Sequence, residues 1–127
     1  MTTIFGYTRR ETKNIRLEMC DWLRYLLPTD DEIYSDVTRA MYSVLWYGLP
    51  YEEICRQHGV DPDDDRRSLR AELPGPALQC VAEAEWQAKV DLSFHAPPMD
   101  RDEVLNICKG SAQQALYEFE RVVGVTV

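Results

Sequence analysis

The chain has 127 residues, 45% of them hydrophobic and 28% charged, the proportions of one soluble globular domain with a modest core. Its formal net charge of −8, from 22 acidic against 14 basic residues, repels nucleic acid and anionic membrane alike. No apolar run approaches bilayer-spanning length, and Met1-Thr2-Thr3-Ile4-Phe5 lacks the charged start and apolar stretch of a signal peptide, so a cytoplasmic protein is expected.

Helix signals recur along the chain. Thr8-Arg9-Arg10-Glu11 reads as a capping box, in which hydroxyl and carboxylate reciprocally satisfy the first free amides. The spacing of Ile15, Met19, Trp22, Leu23 and Leu26 predicts a first helix to about Leu27, ended by Pro28. Thr29-Asp30-Asp31-Glu32 reads as a second capping box, opening a helix that carries Ile33, Val37, Met41, Val44 and Leu45. The aromatic residues Tyr34, Tyr42, Trp46 and Tyr47 broaden its face and place it at the centre of the core. Gly48 suits a left-handed cap.

Pro50 fits the first turn of a short third helix, Tyr51 to His58, stopped by Gly59. A fourth helix is predicted to open with Asp61 as cap and Pro62 at its first position, anchored by Leu69 and Leu73. Pro74-Gly75-Pro76 breaks the chain. A fifth helix, Ala77 to about Leu92, carries Leu78, Val81, Ala82, Glu85 or Trp86, and Val90 on one side. After the loop Ser93 to Pro98, Asp100-Arg101-Asp102-Glu103 caps a last helix. Its apolar positions, Val104, Cys108, Ala112, Ala115, Phe119 and Val122, predict continuity through Gly110. Thr3-Ile4-Phe5 and Gly124-Val125-Thr126-Val127 are the only β-like stretches. The pattern is that of a single all-α domain over residues 1–127, a compact bundle of five to six helices around the second and last.

The four cysteines, Cys20, Cys55, Cys80 and Cys108, are irregularly spaced within helical patterns, which points to reduced structural thiols rather than a zinc site or disulfide framework. His58 and His95 stand apart, with no credible nucleophile beside either, and no P-loop, GxGxxG or HExxH motif occurs. No catalytic residue, metal ligand or cofactor is expected. The near-heptad spacing of the last helix fits burial within one chain as well as a homodimer.

The segment Gly48-Leu49-Pro50-Tyr51-Glu52-Glu53-Ile54-Cys55-Arg56-Gln57-His58-Gly59-Val60 resembles the helix-turn-helix of sigma-factor region four and of Q-type phage antitermination proteins, over about residues 37–73. Ile54 and Val60 match buried positions of that unit, Gly59 its turn, and Cys55 stands where alanine is usual. The resemblance implies a degenerate recognition helix. Asp65 takes the place of a buried β-branched residue, and Asp63-Asp64 replace small hydroxyl or basic ones. Carboxylates at such a tip are repelled by phosphates.

Asp61, Asp63, Asp64 and Asp65 have two readings. They stabilise a helix dipole, each by roughly 0.3–1 kcal/mol, with Arg66, Arg67 and Arg70 as helical-spacing partners. They also form an acidic patch for a partner. Tyr47 and Phe94 are the aromatics most expected to be exposed and to join it. The expected function is therefore a small non-enzymatic factor whose acidic, nucleic-acid-mimicking surface engages the basic surface of a nucleic-acid-handling complex. A phage or mobile-element inhibitor of a host machine is its concrete form. The alternative is a helix-turn-helix regulator or antiterminator, with Arg66, Arg67 and Arg70 meeting DNA or RNA polymerase.

Overall fold

The computed structural model describes residues 6–63 and 68–123. Among them are α1 (Arg9–Leu26), α2 (Ile33–Leu45), α3 (Tyr51–Gln57), α4 (Leu69–Glu72), α5 (Gly75–Leu92) and α6 (Arg101–Val123), and no strand. The fold is all-α. The β-like stretches Thr3 to Phe5 and Gly124 to Val127 lie outside the described residues.

Polar pairs between the helices fix their directions. The Tyr7 amide donates to Gln79 Oε1 at 2.9 Å and Lys89 Nζ to Glu18 Oε1 at 3.2 Å, so α1 and α5 run parallel. Ser111 Oγ, midway along α6, donates to Asp91 Oδ2 near the end of α5 at 2.6 Å, while Leu116 and Phe119 lie near Cys80. Hence α6 returns antiparallel to α5. Arg101 meets Asp30 and Asp36, and Tyr47 meets Glu120, so α2 and α6 are parallel. The four long helices alternate in direction along the chain, and α3 and α4 form the crossover from α2 to α5.

The centre of the core falls on α5 and α6. Helix α5 packs on α1, α2 and α6, burying Leu78, Val81, Ala82, Ala84, Glu85, Ala88 and Leu92. Its alanines give neighbours access from several sides, so the helix has no single apolar stripe. That explains why the more strongly striped α2 looks central in the sequence. Helix α6 is continuous through Gly110, burying Val104, Cys108, Ser111, Ala112, Ala115 and Leu116.

The Thr8 capping box forms: Thr8 Oγ1 accepts from the Glu11 amide at 3.1 Å, and Glu11 Oε1 from the Thr8 amide at 2.8 Å. The second predicted box does not. Helix α2 starts after Glu32, and the Glu32 amide donates to Asp30 Oδ1 at 3.1 Å. At the other end of α2 the left-handed cap begins one residue early. Tyr47 has φ +58° and Gly48 φ +92°. The Gly48 amide reaches Ser43 O at 2.7 Å and the Tyr47 amide Val44 O at 3.2 Å, the two bonds of a Schellman motif with tyrosine in the position that favours glycine.

The fourth helix differs most from expectation. Pro62 and Asp63 form a turn, and α4 is the four-residue Leu69–Glu72, capped by Ser68 Oγ accepting from the Arg70 amide at 3.1 Å. Asp61 caps no helix among the described residues. Its Oδ1 accepts from the Asp63 amide at 2.9 Å, an Asx turn that competes with helix formation.

Candidate functional site

The parallel arrangement of α2 and α6 brings two acidic helix starts together at one end of the bundle. Arg101 sits between them. Its Nε and Nη2 donate to Asp30 at 2.7 and 2.9 Å, and its Nη1 to Asp36 at 2.7 Å. The Arg101 guanidinium and the Glu32 amide hold the Asp30 carboxyl below the usual carboxylate range. Asp31, Glu32, Asp100, Asp102 and Glu103 are exposed around this bridge. Each also gains from a nearby helix N-terminus, which accounts for part of the concentration of charge.

Aromatic side chains lie at the same end. Phe94, in the turn after α5, is 80% exposed. Trp22 and Tyr25, in the last turns of α1, stack edge to face with centroids 5.5 Å apart and line a shallow cleft with Glu18 and Asp21. Tyr25 is 54% exposed. Sequence reading missed this pair, although Tyr25 falls off the Ile15, Met19, Leu23, Leu26 stripe and was detectable on that ground.

The expected site residues are not gathered in one place. Tyr47 is exposed near the opposite end of the bundle, where its hydroxyl donates to Glu120 Oε2 at 2.6 Å. That bond to a carboxylate pushes the phenol up to about 12. Asp61 and Asp63 are exposed in the turn after α3. Asp64, Asp65, Arg66 and Arg67 lie outside the described residues.

Arg70 points inward rather than toward the aspartates or a partner. Its guanidinium reaches Glu85 at 2.8 Å and donates to Thr12 O at 2.8 Å. Glu85 is only 3% exposed, which decides between it and Trp86 for the inner face of α5. Burial pushes the Glu85 carboxyl up, while Arg70 and then Arg16 pull it partly back.

Among the described residues no group of His, Cys, Asp and Glu has the arrangement of a metal site. The cysteines are free, and burial raises all four thiols, Cys80 and Cys108 to about 12. His58 Nδ1 lies 2.9 Å from Ile54 O at the end of α3, and His95 stands in the exposed loop. No helix among the described residues is long and apolar enough to cross a membrane. Comparison with protein-family models, with curated proteins and with solved structures returned no match.

Proposed function

We propose that the protein is a non-catalytic binding factor that docks on a basic surface of a nucleic-acid-handling partner, in the manner of an inhibitor encoded by a phage or mobile element. The observation that carries this reading is the shared end of α2 and α6, where Asp31, Glu32, Asp100, Asp102 and Glu103 surround the Arg101 bridge. Spaced carboxylates on a rigid end offer a basic surface what a phosphate backbone offers, and complementary charge speeds encounter. Phe94 and Tyr25 at that end supply the apolar anchors that charge alone does not.

The test is capture of basic proteins from a heparin-retained cell fraction by the immobilised chain. Replacement of Asp31, Asp102 and Glu103 by Asn or Gln should abolish capture while leaving the helical spectrum unchanged and lowering the melting temperature only by the small loss of helix-end charge. Equal capture by wild type and variant would contradict the reading.

A further inference from the structure

A second surface has the opposite charge. Arg9, Lys13 and Arg16 follow at i, i+4 and i+7 on one face of α1, and with Ser68 and Arg70 they line a groove beside α4 and the start of α5. Arg9 and Lys13 are exposed and have no carboxylate partner among the described residues, although acids outnumber bases 22 to 14.

The groove continues inward. Arg16, Ser68 and Arg70 also line a polar cavity of about 190 Å³, many times the space one water needs, together with Thr38, Tyr34, Tyr42, Tyr51 and Glu85. Two side-chain donors of this cavity, Arg16 Nε and Thr38 Oγ1, are buried without a hydrogen-bond partner among the described residues. Arg16 is held in place by a second of its three nitrogens, Nη1, which donates to Tyr34 Oη at 3.0 Å. Glu85, the one carboxylate among the described residues that line the cavity, accepts from Arg70 Nη1 through Oε2 at 2.9 Å, while its Oε1, 2.8 Å from the same nitrogen, is a third buried atom without a hydrogen-bond partner.

We propose that this groove and cavity form a binding site for a phosphate group, free or as a small phosphate monoester. The phosphoryl oxygens accept from Arg16 Nε and Thr38 Oγ1, while Lys13 and Arg9 at the mouth supply charge. A monoprotonated phosphate matches all three orphaned atoms, accepting from Arg16 and Thr38 and donating its one hydroxyl to Glu85 Oε1, with the exposed cations at the mouth, and charge-assisted bonds of this kind are the strong ones. Nucleic acid is disfavoured as the ligand, because a duplex backbone cannot follow the chain of donors to the buried hydroxyl of half-buried Thr38. The inference is independent of the acidic docking surface, which lies at the other end of α1.

The experiment is calorimetric titration of the full chain with sodium phosphate and, separately, with phenyl phosphate, at constant ionic strength in chloride. Saturable one-to-one binding is expected. Lys13→Gln and Arg9→Gln, both at exposed positions that leave the fold intact, should each weaken it by roughly tenfold or somewhat less, and Arg16→Gln should abolish it. Tighter binding of phenyl phosphate assigns a monoester, and equal binding assigns free phosphate. No saturable heat with either probe, the result if the donors bind only water, would overturn the proposal. So would affinity unchanged in both Lys13→Gln and Arg9→Gln, or binding of duplex DNA but of neither probe.

Discussion

Arg70 and Glu85 are fifteen residues apart in sequence, and their side chains meet at 2.8 Å with 15% and 5% of their surfaces exposed. This pair ties the short α4 to the middle of α5, and the second Arg70 bond, to Thr12 O, adds α1. Breaking a buried ion pair from one side leaves an uncompensated charge, a loss of about 3–5 kcal/mol. Arg70→Met is therefore expected to lower the urea-unfolding free energy by that amount. The double replacement Arg70→Met with Glu85→Leu should recover most of it. A loss under about 1 kcal/mol in the single variant would contradict the assignment.

The same pair sets a pH dependence. Burial raises the folded-state affinity of Glu85 for a proton above its unfolded value, against the pull of Arg70. A carboxyl raised in this way contributes its stability below the unfolded pKa and loses it as pH rises through the folded one. Removing Arg70 raises the carboxyl further. The destabilisation by Arg70→Met should then grow as pH rises above the ordinary carboxylate range, read by urea unfolding at each pH. A difference from wild type that does not change with pH would exclude a buried carboxyl as its source.

Tyr47 and Gly48 make a paired prediction about backbone. A non-glycine residue in the left-handed region costs roughly 1–2 kcal/mol, and the exposed bond from Tyr47 to Glu120 returns only part of that. Tyr47→Gly should raise thermal stability. Gly48→Ala should lower it by about 1 kcal/mol, although nothing lies within 4 Å of the added Cβ, because φ +92° is strained for alanine. The opposite order of melting temperatures would mean that the loop relaxes around either residue.

Arg101 makes a prediction at the acidic end. Asp30 is held below its ordinary value, so its contribution is present above the unfolded pKa and lost as pH falls through the folded one. Arg101→Gln should lower the melting temperature at neutral pH, and the gap to wild type should close as pH falls below the usual carboxylate range. A gap that persists in acid would assign the effect to lost packing of the arginine stem.

Thiol reactivity tests the packing of the core. Cys55, Cys80 and Cys108 are buried and Cys20 is half-buried, with every thiol raised by burial. A thiolate-selective reagent should label native protein slowly and at Cys20 first, and all four positions once it is unfolded. Rapid labelling of Cys80 or Cys108 would show that α5 and α6 separate readily.

Local signals were legible in the sequence where one residue type alone satisfies a local need. The Thr8 box, Gly59 at φ +70° and the uninterrupted apolar spacing of α6 are such cases. Long-range partners were not. Asp30 looks like part of a capping box until Arg101, seventy-one residues away, brings its guanidinium to the carboxylate. Arg70 looks like a surface partner for nearby aspartates, and only the fold shows Glu85 beside it. The acidic end was legible as composition and invisible as geometry, because it depends on α2 and α6 running parallel.

The most direct test of the account is retention of the purified chain on immobilised duplex DNA of mixed sequence and on a heparin-retained basic protein fraction, at about 50 and 200 mM salt. The account predicts no DNA retention at either salt, with capture of a basic protein that weakens at the higher one. Salt-sensitive retention on DNA, with no basic protein captured, would contradict it and identify the chain as a nucleic-acid reader.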